Sequence, residues 1–348
     1  MCAGSGGVGK TTCAAAIGVR AAQLGLRVLV LTVDPAKRLA TALGLDLKDA
    51  SEKRVALADA SGTLTAAVLD SKKIFDQFIQ SHASGAEIVN RIMKNRLYQQ
   101  LSTTLAGSQE FTALERLLQA TESGAYDLVV LDTPPTKHAM DFLTAPHRIN
   151  ALFQDAVTKW FMGSGEKSGG FFSNLVSRGT RVALKSLELL TGGAFIEELV
   201  DFFAAMRSIQ SVLRDRSQKV HQLLTGASAR FIVVTSFDAA KLQEAKYLQG
   251  ELDRLGYHLK GVVINRAFPI DLPTDVADPS PQVGAETYDK VLNFYKRFKE
   301  YHSFRYNLYD EFSRGLEKAR VNVVRVPEYQ RDIYGLNDLE ALAQVLGR

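Results

Sequence analysis

Gly4-Ser-Gly-Gly-Val-Gly-Lys-Thr-Thr12 reads as a phosphate-binding sequence. Gly4, four intervening residues and then Gly9, Lys10 and Thr11 satisfy the P-loop pattern, in which successive backbone N–H groups converge on phosphate oxygens. Gly6, Gly7 and Gly9 let the backbone curl and approach those oxygens with no Cβ in the way. Lys10 brings a cation to the β- and γ-phosphates, and the Thr11 hydroxyl is a hard oxygen donor for Mg²⁺. Val8 and Thr12 complete the expected cradle, and the helix that starts here turns its positive end toward the anion. The competing reading is a glycine-rich surface turn. An alanine-rich helix over 12–24 and a buried parallel strand over 27–34 oppose it, because a P-loop opens directly into such a helix within a parallel sheet.

Outward from the loop, the chain alternates strands with helical stretches. Arg27-Val-Leu-Val-Leu-Thr-Val-Asp34 and Tyr126-Asp-Leu-Val-Val-Leu-Asp132 are near-continuous apolar runs, the pattern of strands covered on both faces. Further strands are expected at 64–70, 230–235, 259–265 and 321–326, with a short helix or turn at 37–45 and a closing helix at 336–346. Residues 72–122 carry apolar side chains at helical spacing (Ile74 and Phe78; Ile88 and Ile92; Leu114, Leu117 and Leu118), and 145–225 read as mostly helical. The expected fold class is therefore α/β: a mostly parallel sheet flanked by helices, with a helical subdomain inserted between strands. Residues 1–348 form one P-loop domain, and about 72–122 and 145–225 supply the subdomain. Only Met1-Cys2-Ala3 precede the loop, so a fuller central strand is expected ahead of it than these residues provide.

At 348 residues and 46% hydrophobic, the chain can bury a large core. Its net charge of +4 is small and dispersed, which argues against a nucleic-acid footprint. Two cysteines, Cys2 and Cys13, offer no disulfide framework, so a reducing, cytoplasmic setting is expected. No apolar run approaches a membrane span, and direct membrane insertion is not expected. The aromatic and basic segment at 288–298 places Tyr288, Val291, Tyr295 and Phe298 on one helix face, which predicts packing against the sheet.

Phosphoryl transfer needs positioning and charge stabilisation more than covalent chemistry. Asp132 ends its strand as a Walker B carboxylate does and would hold Mg²⁺, and Asp34 in Asp34-Pro35-Ala36 can orient the attacking water. Each alone also reads as a strand-terminating turn residue. His138 is read as a phosphate sensor or a structural hydrogen-bonding residue, and Lys37 and Lys137 as switch cations or solvated surface groups.

The P-loop, Asp34-Pro35-Ala36 and Asp132-Thr133-Pro134-Pro135-Thr136 together resemble the arsenite-pump and tail-anchored-protein-targeting ATPases, a family within the MinD-like group of dimeric ATPases. The resemblance extends to Gly107-Ser-Gln-Glu110 and to residues 327–335. It implies a Mg²⁺-dependent ATPase working as a homodimer, whose helical subdomain handles a client protein. It makes Asp34 the hydrolytic carboxylate of switch I and 132–138 switch II; Lys10 serves the transferred phosphate. Asn265 then matches the adenine-reading residue, Asp238 lies on the ribose side, and Pro327 edges the base.

The chain also departs from that family. Ser5 stands where the signature Lys reaches across the dimer, and Arg38 stands at a position that is often Asn. The paired zinc cysteines and the arsenite-binding cysteines have no counterpart, so no zinc is expected. Two other readings stay open: a nucleotide-gated binding module with negligible hydrolysis, and a MinD-like ATPase positioned on membrane or DNA. Against the second, residues 338–348 lack the basic amphipathic face of such anchors.

Overall fold

The computed structural model describes residues 1–33, 38–43, 45, 52–58, 60–104, 108–134, 142, 144, 193, 195, 198, 202, 207–267 and 284–347. The chain divides into two compact units, Met1–Ala67 with Asp127–Ala139 and Ala227–Arg348, and Val68–Tyr126 with Met140–Gly226.

The first unit holds an eight-stranded sheet. Its strands are β1 (Cys2–Gly4), β2 (Arg27–Thr32), β3 (Lys53–Val55), β4 (Thr63–Val68), β5 (Leu128–Asp132), β6 (Phe231–Ser236), β7 (Leu259–Ala267) and β8 (Asn322–Pro327). They run in the order β3-β4-β2-β5-β1-β6-β7-β8. β2, β5, β1, β6, β7 and β8 pair in parallel along that order, and β3 pairs antiparallel with β4. Val28, Leu29, Val30 and Leu31 are fully buried, as a strand covered on both faces requires. At the start of the β2–β5 pair, Arg27 makes two side-chain contacts to Asp127, at 2.7 and 3.0 Å, and donates its backbone N–H to the same carboxylate.

β1 takes the slot between β5 and β6 with three residues: Cys2 aligns with Asp132 on one side, and Cys2, Ala3 and Gly4 align with Ile232, Val233 and Val234 on the other. The chain then enters α1 (Lys10–Gln23), whose Cys13, Ala14, Ala15, Ala16, Val19 and Ala22 are fully buried. Small side chains let this helix lie close on the sheet, and α10 (Leu336–Leu346) packs beside it through Leu339, Leu342 and Ala343. The unit is completed by α2 (Arg38–Leu43), α8 (Ala239–Arg254) and α9 (Ala285–Lys318).

Two features of this unit differ from the sequence reading. β3 joins the sheet edge through Lys53-Arg54-Val55, a stretch too short and too charged to show a strand period. The aromatic helix α9 runs for 34 residues, and the residues it buries are His302, Phe312 and Leu316. Of the face expected to pack, Tyr288, Tyr295 and Phe298 are half-buried and Val291 is 50% exposed, so that face is covered only in part. The helix seats its C-terminal half, with the Tyr306 and Tyr309 rings tilted against Phe237 at 5.5 and 5.7 Å.

The second unit is helical: α3 (Ser71–His82), α4 (Ala86–Lys94), α5 (Arg96–Thr104), α6 (Ser108–Glu122) and α7 (Gln210–Thr225). Asp70 caps α3 by accepting the Lys73 N–H. Phe78, Ile79, Ile92, Tyr98, Phe111 and Leu213 form its core. Two of its buried polar side chains are paired. Tyr98 donates to Asp76 at 2.5 Å, and fully buried Glu115 accepts two hydrogen bonds from Arg216, at 2.7 and 3.0 Å. Much of the predicted helical stretch over 145–206 lies outside the described residues. Among the described residues, no helix is long and apolar enough to cross a membrane.

Candidate functional site: a P-loop closed on the end of β5

The loop sits where the parallel strands end, the crevice in which open α/β sheets bind ligands. Gly4 closes β1 with φ +154°, and a Cβ there would run into the Val234 carbonyl oxygen of the neighbouring strand. Gly7 (φ +78°) and Gly9 (φ +91°) adopt left-handed backbone, and Gly9 is the N-cap of α1. Gly6 and Gly7 are exposed while Val8 is 2% exposed, so the loop keeps an apolar anchor beneath an open glycine crest. Gly9 carries no capping side chain, which leaves the first N–H groups of the helix available for an anion.

Lys10 is 8% exposed and its Nζ donates to the Ser5 carbonyl oxygen at 2.7 Å. The ammonium therefore spans its own loop. Thr11 donates its hydroxyl to Asp132 Oδ2 at 2.6 Å, joining the first turn of α1 to the end of β5. Thr32, in register with Asp132 on β2, donates to the same oxygen at 2.9 Å. Asp132 is 2% exposed, and two hydroxyl donors fix the direction of its carboxylate. Thr133 closes the other side, its hydroxyl and its N–H both donating to the Cys2 carbonyl oxygen.

Burial pushes the Cys2 thiol up to about 11, and the nearby Asp132 charge pushes it the same way. The Cys13 thiol is raised for the same leading reason. Both cysteines are core members of this unit.

The residues expected to meet the base lie on other strands and helices. Asn265, near the end of β7, donates Nδ2 to the Val8 carbonyl oxygen at 2.8 Å and accepts the Arg266 N–H on Oδ1 at 3.0 Å. Asp238 is the N-cap of α8 and accepts N–H groups from Ala240 and Lys241. Pro327 is the last residue of β8, aligned with Ala267. Thr12 is half-buried on α1. Asp34, Lys37, Lys137 and His138 lie outside the described residues.

Two contributors escape a reading of the sequence, Thr32 and Thr133. Thr32 interrupts the apolar run of β2, and that break in pattern is the available signal. Thr133 directly follows Asp132, but its partner is a carbonyl of β1, which spacing along the chain does not place beside it.

The donor set fits a hard divalent cation. A threonine hydroxyl and a carboxylate oxygen lie within 2.6 Å of each other at the foot of a loop whose glycines leave room for phosphate, the oxygen chemistry that Mg²⁺ takes.

The model of the anion-transporting ATPases matches the chain over residues 1–348. The chain belongs to that family. An ATPase named get3 from Aspergillus terreus is 25% identical over 345 residues, covering 99% of this chain and 88% of its own. An ATPase named GET3 from Malassezia globosa is 26% identical over 267 residues, 76% of this chain and 71% of its own. An Aquifex aeolicus protein named for the arsenical pump-driving ATPases is 24% identical, with coverage of 99% and 77%. As a member of the anion-transporting ATPases, this chain binds ATP and hydrolyses it.

Proposed function

We propose that this ATPase uses Mg²⁺, acts as a homodimer, and couples its cycle to the capture and release of a client protein. The observation that carries the metal part is the Thr11–Asp132 contact, which sets two oxygen donors at the end of β5 beside the phosphate loop. The N–H groups from Gly6 to Thr12 bind the phosphate chain, and Lys10 exchanges the Ser5 carbonyl for a phosphate oxygen. Thr11 and Asp132 would hold the cation. When bound, Mg²⁺ neutralises charge developing on the phosphate oxygens. Asp34 orients the attacking water. Asn265, Asp238 and Pro327 surround the base and ribose.

The dimer and the client rest on family membership and on the resemblance to tail-anchored-protein-targeting ATPases. The relative named for arsenical pumps supports a different client, but both cysteines of this chain are buried core groups. A soft metalloid would need thiolates at a surface, so the protein client is favoured.

Phosphate release and light scattering with and without ATP test the proposal together. Asp34→Asn should bind ATP yet hydrolyse it on the order of a hundredfold more slowly. It should also hold a dimer whose client can be recovered by pull-down. A protein that stays monomeric at high concentration with ATP and turns over fully would overturn the dimer, and an unchanged rate in Asp34→Asn would remove that residue.

A further inference from the structure

We infer that Asn265 positions the P-loop itself, independently of any base it meets. Its side chain lies 257 positions away in sequence, yet it reaches Val8 across the crevice. The amide orientation is dictated by its surroundings. Arg266, whose left-handed backbone (φ +54°) is rare for a residue with a Cβ, donates its N–H to Oδ1 of Asn265 at 3.0 Å. With Oδ1 committed to a donor, Nδ2 is the atom left to face a carbonyl, and it donates to Val8 at 2.8 Å.

The consequence is local to the phosphate site. A P-loop binds anions only when its carbonyl groups point away from the crest and its N–H groups point into it. Val8 sits at the base of that crest, and the Asn265 amide gives its carbonyl a partner on the far side. The approach is tight: a Cβ on Gly9 would strike the Asn265 amide nitrogen. Gly9 is thus required both for its left-handed φ and for the passage of this side chain. The loop and the end of β7 act as one piece, so Asn265 sets the loop's shape before a nucleotide arrives.

This inference rests on the loop being the phosphate site, and a ligand without a base separates the two ideas. Mg·tripolyphosphate binding, measured by competition against a fluorescent ATP analogue, should weaken about three- to tenfold in Asn265→Ala, the range for one lost neutral hydrogen bond. ATP should weaken at least as much. Asn265→Asp, which replaces the donor with a carboxylate facing the Val8 carbonyl, should weaken both further. The thermal midpoint of the ligand-free protein controls for general damage and should change little. If Asn265→Ala binds tripolyphosphate as the parent does while ATP alone weakens, the side chain reads only the base and the inference fails. Lys10→Ala serves as the reference: should it too leave tripolyphosphate binding unchanged, the loop is not the phosphate site and the inference falls with it.

Discussion

Lys10 and Ser5 close the phosphate loop on itself, the lysine ammonium resting 2.7 Å from the serine carbonyl oxygen. The contact holds a buried cation in place, and the proposed phosphate site requires phosphate to displace it. Replacing Lys10 with Ala removes a charge-assisted contact to the nucleotide. ATP affinity should fall roughly ten- to a hundredfold, for a loss of about 1.5–3 kcal/mol. Isothermal titration on the folded variant checks this, and parent-like affinity would rule Lys10 out of phosphate binding.

Ser5 is 2% exposed, so its side chain points into protein rather than outward. A lysine at this position has no surface path without reshaping the loop. Ser5→Lys is therefore expected to lower the thermal midpoint and to leave turnover at or below the parent's. Increased phosphate release at unchanged stability would show that the loop can turn this side chain out.

Asp127 answers to pH. The Arg27 guanidinium and N–H hold its carboxyl down to about 2, below the ordinary 3.8. A folded value below the unfolded one gives stability that is present above about 3.8 and lost as pH falls toward about 2. Asp127→Asn should lower the thermal midpoint slightly at neutral pH, since the pair is solvent-facing, and the gap from the parent should close through that acid window. A gap that persists unchanged at about pH 2 would contradict the pairing.

In the helical unit, Arg216 bonds Glu115 with both oxygens engaged and reaches Glu122 as well, at 2.7 Å. Glu115 is fully buried, so Arg216→Met strands a charge. The expected cost is about 3 kcal/mol in urea unfolding, and Glu115→Gln with Arg216→Met should recover part of it. Additive losses in the double variant would show that the two side chains act separately.

The central strands and the phosphate loop were legible because two independent signals agreed: an unbroken apolar run and a glycine pattern with one mechanical purpose. Asp132 was readable as a strand-ending carboxylate. Its partner Thr32 was not, since which strand lies beside β5 is a matter of topology, and the sheet inserts β5 between β2 and β1. The same limit hid the Asn265–Val8 contact, made by residues from opposite ends of the chain. The 288–298 face of α9 was read only in part, because helical periodicity shows which residues share a face but not how far anything covers it.

If Thr11 and Asp132 hold Mg²⁺ for hydrolysis, steady-state phosphate release titrated with Mg²⁺ should depend on both. Asp132→Asn suits the comparison because its amide oxygen can still accept from Thr11 and Thr32 while the charge is gone. The parent should lose activity in EDTA and regain it with Mg²⁺, and the variant should need at least about tenfold more cation or stay inactive. A variant whose magnesium dependence and rate match the parent's would contradict that role for Asp132.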